Sequence, residues 1–209
     1  MTFDAQFKKA LEQLPPKEKD KLILRLLKND LVLANRLLFE LVDTDSVEDK
    51  RQELQSYIQN RVVFISKNFT SMGYLLMYVR EISGVINEHI SITKDKYGDI
   101  TLTCELLYQV IILNKHRFGK QSYKESYTMC IYIIAKIFKV LVFIQKQHED
   151  LHVEFKEMIV KIGTLISDID YLMRTAINNG LDVNYLTLFR IPSNVEGLVK
   201  NLRVKGFLK

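Results

Sequence analysis

The sequence contains little of what frequent turns and disulfide frameworks require. Of its 209 residues eight are glycine, three are proline, two are cysteine and none is tryptophan. Because many short strands need turns built on glycine and proline, this scarcity argues against an all-β fold and favours helices. Cys104 and Cys130 lie far apart within apolar stretches, which is typical of buried, reduced thiols. The chain is therefore predicted to be cytoplasmic.

A large excess of one charge is also missing. Lysine and arginine number 30 against 25 aspartates and glutamates, a net charge of +5. Residues 181–209 hold five basic and two acidic residues, so most of the excess lies in the last 29 residues. A basic tail of this size is only a weak argument for an acidic partner.

The motifs that usually carry chemistry are largely absent. The sequence has no glycine-rich phosphate loop, no Cys-x-x-Cys pair and no nucleophile elbow. Neither His89 nor His116 has a glutamate three residues before it, which a di-iron bundle would require. The chain is therefore predicted to bind no cofactor and to have no enzymatic activity.

What the sequence does contain is apolar periodicity with a helical repeat. Hydrophobic residues make up 47% of the chain, including ten tyrosines and eleven phenylalanines. The pattern predicts an all-α protein, an irregular multi-helix bundle of about seven to nine helices with a short extended or helical C-terminal segment. Residues 1–45 are expected to form short helices packed on the main body, residues 46–180 the long-helix core, and residues 181–209 a segment packed on the bundle or a partner chain. One domain overall is expected.

The N-terminal part is predicted to contain short amphipathic helices followed by two long ones. Apolar residues at helical spacing predict helices over residues 3–14, 17–28 and 31–42, the last two as a hairpin. Ser46 is predicted to cap a helix running towards Phe69, and a further helix is predicted over residues 74–92.

The segment Lys94–Asp99 is predicted to be a loop. A buried helix is predicted over residues 101–118 and closed by Gly119, with a short strand over Ile100–Thr103 as the alternative.

Ser122 and Glu125 match a capping box at the start of the most apolar stretch, Met129–Ile144. In a bilayer Lys136 and Lys139 would each cost roughly 2.5–3.5 kcal/mol. A buried bundle helix with no membrane contact is therefore predicted.

A reversal is predicted between Gln145 and Asp150. Without it, Ser122–Asn179 would form a helix of near 90 Å, too long for a compact domain. One last helix is then predicted over residues 151–178, ended by Gly180.

Beyond Gly180, the stretch Tyr185–Ile191 has a β-like pattern that Pro192 interrupts. Ser193 and Glu196 match a second capping box, for a short helix ending near Arg203.

One motif suggests a metal. His148-Glu149-Asp150-Leu151-His152 matches H-E-x-x-H, in which two histidines on one face of a continuous helix bind zinc and the glutamate acts as general base. The motif coincides with the predicted reversal, and no third ligand stands at a recognisable spacing. We therefore expect Glu149 to start the next helix and both histidines to contact solvent.

Two basic clusters beside aromatic residues suggest contact with phosphates. The candidate contacts for nucleic acid or an acidic partner are Lys115, Arg117, Lys120, Lys200, Arg203, Lys205 and Lys209. Cations in the last turn of a helix also complement its dipole, which explains the first cluster without a ligand.

The leading functional hypothesis is a non-enzymatic helical interaction or scaffold protein that binds a protein partner or forms a homo-oligomer. The alternatives are a nucleic-acid-binding protein that uses the two basic clusters, and a zinc-dependent hydrolase that uses His148, Glu149 and His152.

Overall fold

The computed structural model describes residues 2–120 and 122–208, and in them the protein is all-helical, without strands. The predicted fold class is confirmed, but these residues form eleven α-helices rather than seven to nine. The helices are α1 (Ala5–Gln13), α2 (Pro16–Leu27), α3 (Leu31–Leu41), α4 (Val47–Lys67), α5 (Met72–Thr93), α6 (Lys96–Asn114), α7 (Tyr123–Gln145), α8 (His152–Ser167), α9 (Asp170–Asn178), α10 (Asn184–Thr187) and α11 (Val195–Val204).

The chain divides into two compact units. One comprises residues 2–44 with 91–94, and the other comprises the described residues of 45–90 and 95–208. The first unit contains α1, α2 and α3, and α2 contacts α3. The buried hydrophobic core lies in the second unit, from Ile58 in α4 to Val199 in α11.

The predicted cap at Ser46 is confirmed. Its hydroxyl accepts from the backbone N–H of Asp49 at 3.1 Å, and the Asp49 carboxylate accepts from the Ser46 N–H at 2.9 Å. This reciprocal pair satisfies two donors that a helix start otherwise leaves open.

The predicted loop over Lys94–Asp99 is wrong beyond its first two residues. Asp95 caps α6 by accepting from the N–H of Gly98 at 2.8 Å, so the helix already begins at Lys96. Lys94 supplies the reversal with a left-handed φ of 59°. The alternative strand over Ile100–Thr103 is also wrong, because these residues lie inside α6 and burial overrides their β propensity.

Neither of the other two predicted capping boxes forms. Ser122 precedes α7 without a side-chain cap, and the Glu125 carboxylate instead accepts from the N–H of Gly73 at 3.3 Å, at the start of α5. Asn194 rather than Ser193 precedes α11, also without a side-chain cap. The helices exist as predicted, but tertiary packing uses the polar side chains elsewhere.

Helix α7 is one of the two most buried helices, with eleven buried residues beside the twelve of α6. Among the described residues it is the one helix long and apolar enough to cross a membrane, yet more than half of its most apolar window is buried inside the protein. That burial is typical of a core helix in a bundle. The predicted break after Gln145 is confirmed, because a turn and the 3-10 segment Glu149–Leu151 separate α7 from α8.

The single helix predicted over residues 151–178 is wrong. The chain bends at Asp168 and Ile169, where Ile169 adopts φ −114° and ψ 93° and lies buried, so α8 and α9 are separate. No glycine or proline marks this bend, which explains why the sequence pattern missed it.

The β-like interpretation of Tyr185–Ile191 is also wrong. The stretch begins with the short helix α10 and turns at Phe189, which has φ 52°. Its backbone donors are satisfied locally, for example Leu186 N–H to Val183 C=O at 3.0 Å. Helix α10 packs on α8 and α11 packs on α7.

Candidate functional site

The His148-Glu149-x-x-His152 motif spans the turn between α7 and α8. His148 precedes the 3-10 segment and accepts weakly from the N–H of Asp150 at 3.4 Å, whereas His152 is the first residue of α8. His148 and Glu149 are exposed, while Nε2 of His152 is buried without a hydrogen-bond partner. The two histidines therefore do not share the face of one continuous helix that zinc binding by this motif requires. Within residues 2–120 and 122–208 no group of three or more His, Cys, Asp and Glu residues is arranged to hold a metal ion.

The first basic cluster lies at the end of α6. The Arg117 guanidinium is 4.0 Å from the centre of the Phe69 ring and donates to Asn114 Oδ1. Burial lowers the pKa of Arg117. This side chain therefore holds the helix end against α4's last turn and its following loop, while Lys115 and Lys120 are exposed.

The exposed lysines of this cluster do not form a purely basic surface. Lys115 and Lys120 border a shallow depression that also contains the carboxylates of Asp168 and Asp170. Arg174 lines it as well, so the depression has mixed charge, with three cations and two carboxylates.

The second basic cluster lies on α11 and the segment after it. Lys200 pairs with Glu196 at 3.2 Å, and Glu196 also pairs at 2.9 Å with Lys146, the residue that follows α7. Arg203 and Lys205 are exposed. Lys209 lies outside the described residues, so its predicted contact stays a prediction.

The sequence interpretation missed a set of three buried acids, one capping α6 and two inside it. Asp95 accepts from Arg51 Nε at 2.7 Å and lies 3.4 Å from His89 Nε2. Burial raises the pKa of Asp95, but the hydrogen bonds from Arg51 and Gly98 outweigh it, so the pKa lies below its ordinary value. Asp99 is buried in the same helix and accepts from Lys139 of α7 at 3.0 Å.

Glu105 is the third buried acid of α6, and its side chain has a different environment. The residue is 5% exposed, and its Oε1 accepts from the side-chain amides of Gln59 at 2.8 Å and Gln109 at 3.0 Å. Both donors are neutral. A lone acid within the apolar run from Ile100 to Leu113 is the sequence signal that could have identified it.

Glu105 lies in an open groove formed by α4, α6 and α8, which we call the α4–α6–α8 groove. Its volume is about 630 Å³, within the range of small-molecule sites. Its charged lining residues are Glu48, Glu105, Glu154, Glu157, Arg51 and Lys161. Four carboxylates against two cations make the groove acidic.

An aromatic pair forms one part of the groove wall. The rings of Tyr97 and Phe155 lie 5.2 Å apart between centroids, and the Arg51 guanidinium lies 4.8 Å from the centre of the Tyr97 ring. Burial is the main cause that raises the pKa of Tyr97, and its hydrogen bond to Glu154 raises the pKa further. The Tyr97 hydroxyl therefore stays protonated at neutral pH and remains a donor.

Neither cysteine offers a reactive thiol, although Cys104 lines the base of the α4–α6–α8 groove. Burial raises the pKa of Cys104 and of Cys130 to about 12. Both side chains are free thiols buried in the core, and a thiol held neutral in this way is a poor nucleophile.

The most extensive candidate contact surface lies on α1, α2 and α3. None of the described residues 2–44 is buried. The large apolar side chains exposed there, which we call the N-terminal apolar surface, are Phe3, Phe7, Ile23, Leu24, Leu26, Leu31, Val32, Leu33, Leu38, Leu41 and Val42.

No protein-family model, characterised protein or solved structure matches this chain.

Proposed function

We propose that this protein is a helical interaction protein that self-associates through the N-terminal apolar surface. One observation carries the proposal. Residues 2–44 expose eleven large apolar side chains, nine of them on α1, α2 and α3, and bury none, with Leu31 72% and Leu41 78% exposed. Monomeric soluble proteins rarely expose contiguous apolar patches larger than a few hundred Å².

Helices of this kind reach a stable state by covering their apolar faces with other helices. Leu31 and Leu38 lie two turns apart on the same face of α3, and both are exposed. A standard interface buries about 800 Å² on each partner. The eleven side chains are between 40% and 78% exposed, so they are the source of apolar area for such an interface.

The charge of this unit favours a second copy over a strongly charged partner. Residues 1–44 contain eight lysines and arginines and seven aspartates and glutamates. With neither sign in excess, two copies do not repel each other, and an anionic partner such as nucleic acid gains no general attraction. A two-fold symmetric dimer is the commonest assembly that such a self-complementary surface forms.

The other two predicted functions have no comparable support. The nucleic-acid candidates include Arg117 and Lys200, which are engaged by Phe69 and Glu196. Zinc hydrolysis would need the two histidines on one helical face. Both functions stay predictions.

Size-exclusion chromatography with light scattering, over a range of concentrations, tests the proposal. The full chain should have the mass of a dimer, and Leu31→Glu combined with Leu38→Glu should have the mass of a monomer. Two buried charges would have to be desolvated at the contact, which costs several kcal/mol each unless they are paired.

A matched control is the double variant Val153→Glu and Val204→Glu. It adds the same charge at two exposed apolar positions of the other unit, so it should remain a dimer. A full chain that is monomeric at all concentrations would overturn self-association and would favour the predicted packing of residues 1–45 on residues 46–180, which stays a prediction.

A further inference from the structure

Glu105 differs from the other two buried acids, Asp95 and Asp99, because no cation among the described residues forms an ion pair with it. Asp95 pairs with Arg51, Asp99 with Lys139 and Glu157 with Lys161. No cation in the described part of the chain forms an ion pair with Glu105, which receives only two neutral amide hydrogen bonds on Oε1. A buried carboxylate is costly unless a cation compensates it.

The second oxygen of Glu105 is available to a ligand. Within the described residues Oε2 accepts no hydrogen bond. It does not belong to the fully buried polar atoms without a partner, so it keeps some contact with solvent. Since Glu105 lines the α4–α6–α8 groove, Oε2 is reached from the groove.

The cations that line the groove are already engaged. Arg51 donates to both Asp95 and Glu48, and Lys161 donates to Glu157 at 2.6 Å. Lys161 also attracts Glu105 electrostatically, but it donates its hydrogen bond to Glu157, and four carboxylates against two cations leave the groove with a net negative charge.

The remaining walls suit an organic cation. The Tyr97 and Phe155 rings, together with Leu102 and Met158, give apolar surface beside the carboxylates. A metal ion would need several ligand groups converging on one point, and no such group exists within residues 2–120 and 122–208.

We propose that the α4–α6–α8 groove binds an organic cation, a guanidinium or primary ammonium group on a short apolar stem, with Glu105 as its deep anionic partner. The apolar stem contacts the aromatic wall, and the cationic head donates to Oε2 of Glu105. This site is independent of the N-terminal apolar surface.

The probe that tests the site is butylguanidinium, and butylurea is its neutral counterpart of nearly the same shape. Calorimetric titration of the full chain at physiological ionic strength should show saturable binding of butylguanidinium and much weaker binding of butylurea. Glu105→Gln keeps an acceptor oxygen but removes the charge, so it should raise the Kd for butylguanidinium about tenfold.

Glu53→Gln is the matched control variant. Glu53 is exposed on α4 outside the groove lining, so this variant loses the same charge and should keep the wild-type Kd. Thermal melting of both variants should show that they remain folded.

A second measurement does not depend on any variant. Adding butylguanidinium should shift the backbone amide NMR signals of Thr101, Glu105 and Phe155 and leave those of α11 unchanged. Equal affinity for butylurea, an unchanged Kd in Glu105→Gln, or shifts confined to residues outside the groove would each overturn the proposal.

Discussion

At the scale of single residues, the Arg51–Asp95 pair joins distant parts of the chain. The Asp95 side chain is 4% exposed and that of Arg51 17%, and the two residues are separated by 44 positions in sequence. Asp95 also caps α6, so one carboxylate starts a helix and ties it to α4.

Asp95→Asn should lower the free energy of unfolding by about 2 kcal/mol, because the amide keeps an acceptor for Gly98 but loses the charged hydrogen bond from Arg51. Urea denaturation at pH 7 measures the change. Asp170→Asn is the control, since Asp170 is an exposed first-turn aspartate 3.9 Å from Arg174 and should have almost no effect. Equal effects for the two variants would contradict this role of Asp95.

The same pair predicts a pH dependence. The folded pKa of Asp95 lies below its ordinary value, so the unfolded state binds the proton more readily and acid favours unfolding. The stability that ionised Asp95 contributes to the folded state should be complete above about pH 5. It should decline as the pH falls through the ordinary aspartate pKa of about 3.9 towards the folded pKa. The stability difference between wild type and Asp95→Asn should therefore shrink below about pH 4, and denaturation series at several pH values would show it.

At the scale of elements, the contact between α8 and α10 depends on Gly163. A methyl group at this position would lie 2.7 Å from Leu186 Cβ and 2.9 Å from the backbone nitrogen of Thr187. The missing side chain therefore lets the backbone of α10 approach α8 closely.

Gly163→Ala should destabilise the protein by about 1–3 kcal/mol through this overpacking. Gly84→Ala makes the same substitution inside α5, where a methyl group meets no atom within 4 Å. It should stabilise the protein by about 0.5–1 kcal/mol, because alanine favours the helix. Thermal unfolding of both variants measures these opposite changes in stability. If Gly163→Ala stabilised the protein as Gly84→Ala does, α10 would not pack closely on α8.

At the scale of the whole molecule, the two ends of the chain differ in how much they contribute to the core. Residues 2–44 contain no buried side chain, whereas residues 182–208 contribute four buried apolar side chains: Val183, Leu186, Val195 and Val199. Fully burying each of these contributes roughly 1.5–3 kcal/mol.

Deleting residues 182–209 should therefore lower the thermal midpoint by about 10 °C or more. Deleting residues 1–44, a longer segment, should change the midpoint of the remaining chain much less. Circular dichroism melts at low protein concentration compare the two truncations. If deleting residues 1–44 lowered the thermal midpoint more than deleting residues 182–209, residues 1–44 would contribute to the stability of the other unit.

The sequence by itself determined the features that depend on a few neighbouring residues. The scarcity of glycine and proline with a helical apolar repeat predicted the all-α class, Ser46 predicted a cap, and the excessive length of Ser122–Asn179 predicted the break after Gln145. The helical class holds because an apolar face repeats within two turns. A capping pattern spans only three residues but also needs side chains that packing leaves free, as at Ser46 and not at Ser122 or Ser193.

Only the tertiary structure decided where polar groups are used. Glu125 caps α5, 52 positions away, and Glu105 meets Gln59 of α4, 46 positions away. The bend at Ile169 and the helix in place of the expected strand after Tyr185 likewise follow from burial. A hydrogen bond or an apolar contact between distant positions forms only when packing brings the groups together, so spacing along the chain cannot specify it.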